Sequence, residues 1–90
     1  MKTQNPYLKT ELSHFLHTFK RQPLLITKAD GSWVWDASGK KYLDFFSGLA
    51  VCGVGHNNPR VRAAIHKQTD RLLHSSNYFY TQPQTDLAKA

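Results

Sequence analysis

Apolar positions in this chain follow two rhythms in succession. Leu8, Leu12, Phe15, Leu16 and Phe19 recur at helical spacing and make one apolar stripe. Asn5-Pro6 stands ahead of it as an N-cap followed by proline at the first helical position, where the missing N–H costs nothing. Lys20-Arg21 suits the negative end of the helix dipole, and Pro23 stops the run. The rhythm then changes. Leu24 to Thr27 reads as a strand, Asp30-Gly31 as a tight turn and Ser32 to Asp36 as a second strand. Ala37-Ser38-Gly39 turns the chain again, and Lys41 to Phe46 makes a third strand. Alternation puts Trp33 and Trp35 on one face, and sets Tyr42, Asp44 and Phe46 against Leu43 and Phe45. Both faces are bulky and apolar, so the meander needs a further layer to cover it.

Ser47 to Gly55 carries Gly48, Gly53 and Gly55 among small apolar residues. Such spacing permits positive φ or close approach of another backbone. Neither GxGxxG nor GxxxxGK[ST] is present, so on spacing alone a packed crossover without a ligand is favoured. Asn58-Pro59 repeats the helix-start signal. Val61, Ala64, Ile65, Gln68, Leu72 and Leu73 then share one side of a helix expected to end near His74 to Asn77. Tyr78-Phe79-Tyr80 is an aromatic cluster in a loop: core plug, interface or ligand wall. A last helix begins near Thr81 to Pro83 and meets no stop signal by Ala90. An eight-residue helix without a stop is marginal alone, so the chain is expected to be the N-terminal piece of a longer protein. The pattern is α+β: helix, three-stranded antiparallel meander, glycine-rich crossover, helix, and the start of a further helix.

Composition narrows the function classes. Of 90 residues, 40% are hydrophobic and 20% charged, which argues for a folded chain rather than a disordered one. The net charge of +6 raises the question of a nucleic-acid partner. The cations are dispersed, however, and the densest groups are only Lys20-Arg21, Lys40-Lys41 and Arg60-Val61-Arg62, which favours a solvated surface over a phosphate-binding face. The lone Cys52 lies among apolar residues, as a buried thiol in a reducing compartment would. No apolar run approaches membrane-spanning length, and a cytoplasmic location is expected. His14 and His17 are three apart on the first helix, but no third ligand stands near, so no metal site is expected.

One concatenation of residues carries more. Asp30-Gly31-x-x-Val34-Trp35-Asp36-x-x-Gly39-Lys40-x-Tyr42-Leu43-Asp44-Phe45 is followed by Ser47-Gly48-Leu49-Ala50-Val51 and Gly55-His56-x-x-Pro59. Gln68, Leu72, His74-x-Ser76-Asn77 and Leu87-Ala88 then complete the series. This series, across roughly residues 17–90, resembles the opening segment of the class III aminotransferases, pyridoxal-phosphate enzymes of fold type I. The resemblance implies an α/β parent with a large, mainly parallel cofactor domain and a small domain built from both chain ends. Residues 1–46 would belong to the small domain, and residues 47–90 would form the crossover and first helices leading into the large one. It implies a homodimer with active sites at the subunit interface. The implied reaction moves an amino group from an ω-amine donor, such as an acylated ornithine, to 2-oxoglutarate through pyridoxal 5'-phosphate.

The resemblance also implies residue roles. Phe19 falls where these enzymes commonly carry a tyrosine that helps hold the substrate carboxylate; without the hydroxyl it would wall the pocket. Gly48, Leu49, Ala50 and Val51 would line the substrate side of the cofactor, their small side chains leaving room for an aliphatic donor. Asn77, Tyr78, Phe79 and Tyr80 would approach the neighbouring subunit's active site. The family chemistry needs a lysine amine to hold the cofactor covalently, an acidic partner for its pyridine nitrogen, and phosphate ligands. None of the eight lysines stands in a matching motif, so no catalytic or cofactor-binding residue is expected here and the 90 residues alone should be inactive. The competing reading is a small basic module that binds RNA or an acidic partner.

Overall fold

A computed structural model describes residues 5–90; the first four residues of the expected 1–46 span lie outside the described residues. The chain forms two compact units, one reaching to Asn58 and one running from Pro59 to Ala90, each described by itself.

In the first unit, the N-terminal helix spans Leu8–His14. It starts later than Asn5-Pro6 predicts: Tyr7 is the N-cap and makes no side-chain cap bond, while Asn5 Oδ1 accepts the Tyr7 N–H at 2.9 Å in a turn ahead of the helix. The helix is half the expected length. His14, Phe15, His17, Thr18 and Phe19 are weak helix formers, and Leu16 stays 84% exposed, so the stripe buries nothing that would sustain another turn. Phe15 is already extended (φ −95, ψ 147). Arg21 instead reaches back to Glu11 at 2.8 Å, its guanidinium 4.9 Å from the Phe15 ring centre and 4.6 Å from that of Phe19.

The meander is present, in the order β1 (Ile26–Asp30), β2 (Trp33–Asp36), β3 (Lys41–Leu43), antiparallel throughout. β1 lies two residues later than the Leu24–Thr27 expectation. The turn decides this: Asp30 pairs with Trp33, leaving a two-residue Gly31-Ser32 loop with Gly31 at φ 59, which fixes Lys28 opposite Trp35. β3 ends at Leu43, short of Phe46, because the Asp44 carboxylate takes the next main-chain donors, as described below. Lys41 Nζ lies 4.2 Å from the Trp33 ring centre and Lys28 Nζ 4.7 Å from that of Trp35, so lysines cover the tryptophan face. No hydrophobic side chain is buried among the described residues, in keeping with a sheet that needs a further layer.

The one buried side chain among the described residues is a carboxylate, Asp36. Its Oδ1 accepts from Ser38 N–H (2.9 Å), Ser38 Oγ–H (2.6 Å) and Lys40 N–H (3.0 Å), and its Oδ2 from Tyr42 O–H (2.8 Å). With Gly39 at φ 87 these bonds shape the β2–β3 turn. The Ser38 hydroxyl bond is the largest cause, followed by the bonds from Tyr42, Lys40 and the Ser38 amide; together they outweigh burial and hold the Asp36 carboxyl at about 2. The hydrogen bond to the Asp36 carboxylate pushes the Tyr42 phenol up.

In the second unit, the helix Pro59–Thr69 begins on the predicted proline but stops well before His74. Thr69 Oγ1 bonds back to His66 O at 3.0 Å, and Gln68 Nε2 donates to Leu72 O at 2.9 Å, which closes the end locally. The helix Gln82–Lys89 follows an extended Thr81 (φ −129, ψ 144), with proline in its first turn as expected. Among the described residues no helix is long and apolar enough to cross a membrane.

The Asp36 turn makes a pH prediction. A folded-state value of about 2 against an ordinary 3.8 means the carboxylate's contribution is complete above the ordinary value and is lost as pH falls through the folded one. The Ser38 and Lys40 amide proton shifts, followed by NMR, should titrate with a midpoint near about 2. Asp36→Asn should abolish that titration.

Candidate functional site

After β3 the backbone does something ordinary L-residues avoid. Ser47, Gly48, Leu49 and Ala50 take φ values of 55, 60, 64 and 64, so Ser47–Ala50 is one turn of left-handed helix. Ala50 N–H donates to Phe46 O at 3.3 Å and Val51 N–H to Ser47 O at 2.8 Å, closing the turn with helical spacing. Three of these residues carry a Cβ, and left-handed backbone costs such a residue about 1–2 kcal/mol. Strain of this kind persists only where the surroundings over-determine it, and it concentrates at functional sites. Leu49 and Val51 project outward, 77% and 79% exposed. In place of the expected tightly packed crossover, the described residues form an exposed turn, and Cys52 is half-buried rather than buried.

The surroundings that hold the turn start at Asp44. Its own N–H donates to Ser32 O at 2.8 Å. Its Oδ1 accepts the Phe46 N–H at 2.7 Å and the Ser47 N–H at 3.0 Å, where the chain leads into the turn. Its Oδ2 lies 2.5 Å from His56 Nε2, and the two side chains are only 12% and 20% exposed. The Ser47 amide bond, then His56, then the Phe46 amide hold the Asp44 carboxyl at about 2. An ionised carboxylate only accepts, so this contact requires the proton on Nε2 of His56. His56 is fixed in turn by the main chain: its N–H donates to Gly31 O at 2.8 Å and Gly31 N–H donates to His56 O at 2.9 Å. Asn57 Nδ2 adds a bond to Ala29 O at 2.7 Å. At Gly55 (φ 85) a Cβ would stand 3.3 Å from Gly31 O, so this close approach wants glycine.

Gly48, Leu49, Ala50 and Val51 are thus brought together on one strained turn. Phe19 lies elsewhere in the same unit, exposed beneath the Arg21 guanidinium. Asn77, Tyr78, Phe79 and Tyr80 belong to the second unit and share one loop, with Tyr80 98% exposed. Asn77 Oδ1 accepts from Gln84 Nε2 at 3.3 Å, and the loop borders a shallow concavity with Gln84 and Thr85. Asp44 and His56 both stand in the motif series, where neither carries an expected role. The Asp-x-Phe-Ser order, a carboxylate two residues before a main-chain donor, was the available signal.

Lys28, Lys40 and Lys41 lie over the rings of Trp35, Tyr42 and Trp33, at 4.7, 5.4 and 4.2 Å from the ring centres. Among the described residues no three metal-binding side chains come together.

The left-handed turn reverses an ordinary rule. Ala→Gly in a helix costs about 1 kcal/mol, and Ala64→Gly in the Pro59–Thr69 helix should do so in denaturant titrations. Ala50→Gly, at φ 64, should instead be neutral or stabilise by up to about 1 kcal/mol. A loss at position 50 equal to that at position 64 would contradict the strain.

Comparison with known proteins identifies the family. Residues 16–90 match the model of the family described as aminotransferase class III. Acetylornithine aminotransferase of Methanothermobacter thermautotrophicus is 43% identical over 82 residues, which is 91% of this chain and 21% of that protein. The crystal structure of acetylornithine aminotransferase from Elizabethkingia anophelis superimposes with a TM-score of 0.86 at 29% identity, covering 92% of this chain and 22% of that one. Taurine:2-oxoglutarate aminotransferase from Bifidobacterium kashiwanohense, solved with pyridoxal phosphate and glutamate, gives 0.77 at 30% identity, over 88% of this chain and 18% of that one. The chain thus spans about a fifth of the length of the curated relatives it matches. It belongs to the class III aminotransferases, a family that works with pyridoxal phosphate.

Proposed function

We propose that the protein carrying this chain transfers an amino group from N-acetylornithine, or a related ω-amine donor, to 2-oxoglutarate, with pyridoxal phosphate as its cofactor. The observation that carries the reading is the strained, outward-facing turn at Ser47–Ala50, in a chain that is 43% identical to an acetylornithine aminotransferase. The part of these residues in the reaction is to bind and to exclude water. Gly48, Leu49, Ala50 and Val51 form the wall on the donor side, where small and aliphatic surfaces accept a methylene chain and displace water from it. Phe19 adds an apolar side to that pocket. Asn77 to Tyr80 face the active site of a second subunit in a homodimer. Residues 1–46 belong to a small domain and residues 47–90 lead into the large one, in a cytoplasmic enzyme. The 90 residues by themselves bring no catalytic group.

The test is glutamate formation by the whole protein, supplied with pyridoxal phosphate, 2-oxoglutarate and one donor at a time. N-acetylornithine should give the highest kcat/KM, ahead of ornithine and 4-aminobutyrate. No glutamate from any ω-amine donor would overturn the reading. Phe19→Tyr, which adds a hydroxyl within reach of a donor carboxylate, should lower the donor KM by about tenfold, as one bond to a charged group would.

A further inference from the structure

The left-handed turn is tied at both ends to a single place, the Gly31-Ser32 hairpin turn. Asp44 is seated on it through Ser32 O, and His56 through two main-chain bonds to Gly31. Between them lie the eleven residues 45–55, which include the turn and the exposed side chains Leu49 and Val51. The Asp44 carboxylate serves both ends at once: one oxygen receives the amides leading into the turn and the other receives His56. Without the His56 contact, Oδ2 would be a mostly buried charge with no partner in this set of bonds, and the loop would be closed by main chain alone.

We infer that Asp44 and His56 are a positioning pair that sets donor specificity, by clasping the 45–55 loop so that Gly48 to Val51 keep their left-handed conformation. The inference rests on the proposed reading that this turn walls the donor side of the site. Both residues act through the loop they hold and not on the reacting atoms in this reading. Their effect is on which donors fit: with the clasp closed, Leu49 and Val51 present a fixed apolar surface of defined depth. With it open, the strained residues relax toward ordinary backbone and the wall moves.

The test uses the whole protein with its cofactor and two variants of His56. His56→Leu keeps bulk and removes the donor N–H; His56→Gln keeps an N–H near the Nε2 position without the ring. Amide hydrogen exchange over residues 46–52 reads the clasp whether or not the enzyme turns over. Exchange should rise about tenfold or more in His56→Leu and stay near wild type in His56→Gln. In steady state, His56→Leu should raise KM for N-acetylornithine about tenfold while changing kcat less than about twofold, and should narrow its advantage over shorter donors. Unchanged exchange in His56→Leu would overturn the clasp. Raised exchange with unaltered donor preference would overturn its role in specificity. If His56→Leu does not fold, loss of local protection in a folded His56→Gln would count against the inference, and retained protection for it. A wild-type protein inactive on every donor would remove the proposed function, while the exchange result would still judge the clasp.

Discussion

A carboxylate with two separated duties holds this segment's candidate site together. Asp44 accepts the amides that lead into the Ser47–Ala50 turn and also anchors His56 beyond it. The turn needs such an anchor because its backbone stands in a region that costs each residue with a Cβ about 1–2 kcal/mol. Its own hydrogen bonds would form equally well in a right-handed turn, so they cannot select the hand. The bonds from outside select it, and they end on the β1–β2 hairpin.

That dependence runs backward through the chain. The hairpin can seat Asp44 and His56 because Gly31 accepts a positive φ and Gly55 lets the two main chains approach. The β2–β3 turn is held by another carboxylate, Asp36, with four donors around it. Polar side chains thus set the geometry of this unit. No apolar side chain is buried among the described residues. Carboxylates that collect main-chain donors fix turns locally and need no core to do so. The tryptophan face is covered by the lysine side chains, and Leu49 and Val51 stay exposed.

The sequence by itself determined the elements whose signals are local. The meander, its two turns, proline-led helix starts at Pro59 and Gln82, and the loop at Tyr78 to Tyr80 were all legible, as was the family in the motif series from Asp30 to Ala88. Where packing or a long-range bond decides, local signals erred. The first helix stops at His14 because its stripe finds no surface and Arg21 folds back to Glu11. The third strand stops at Leu43 because Asp44 diverts the next amides. Only the tertiary structure decided the left-handed conformation at Ser47–Ala50 and the Asp44–His56 pairing. Backbone hand depends on which groups meet across twelve residues of chain, and the distance between a carboxylate and an imidazole that far apart is written in no local spacing.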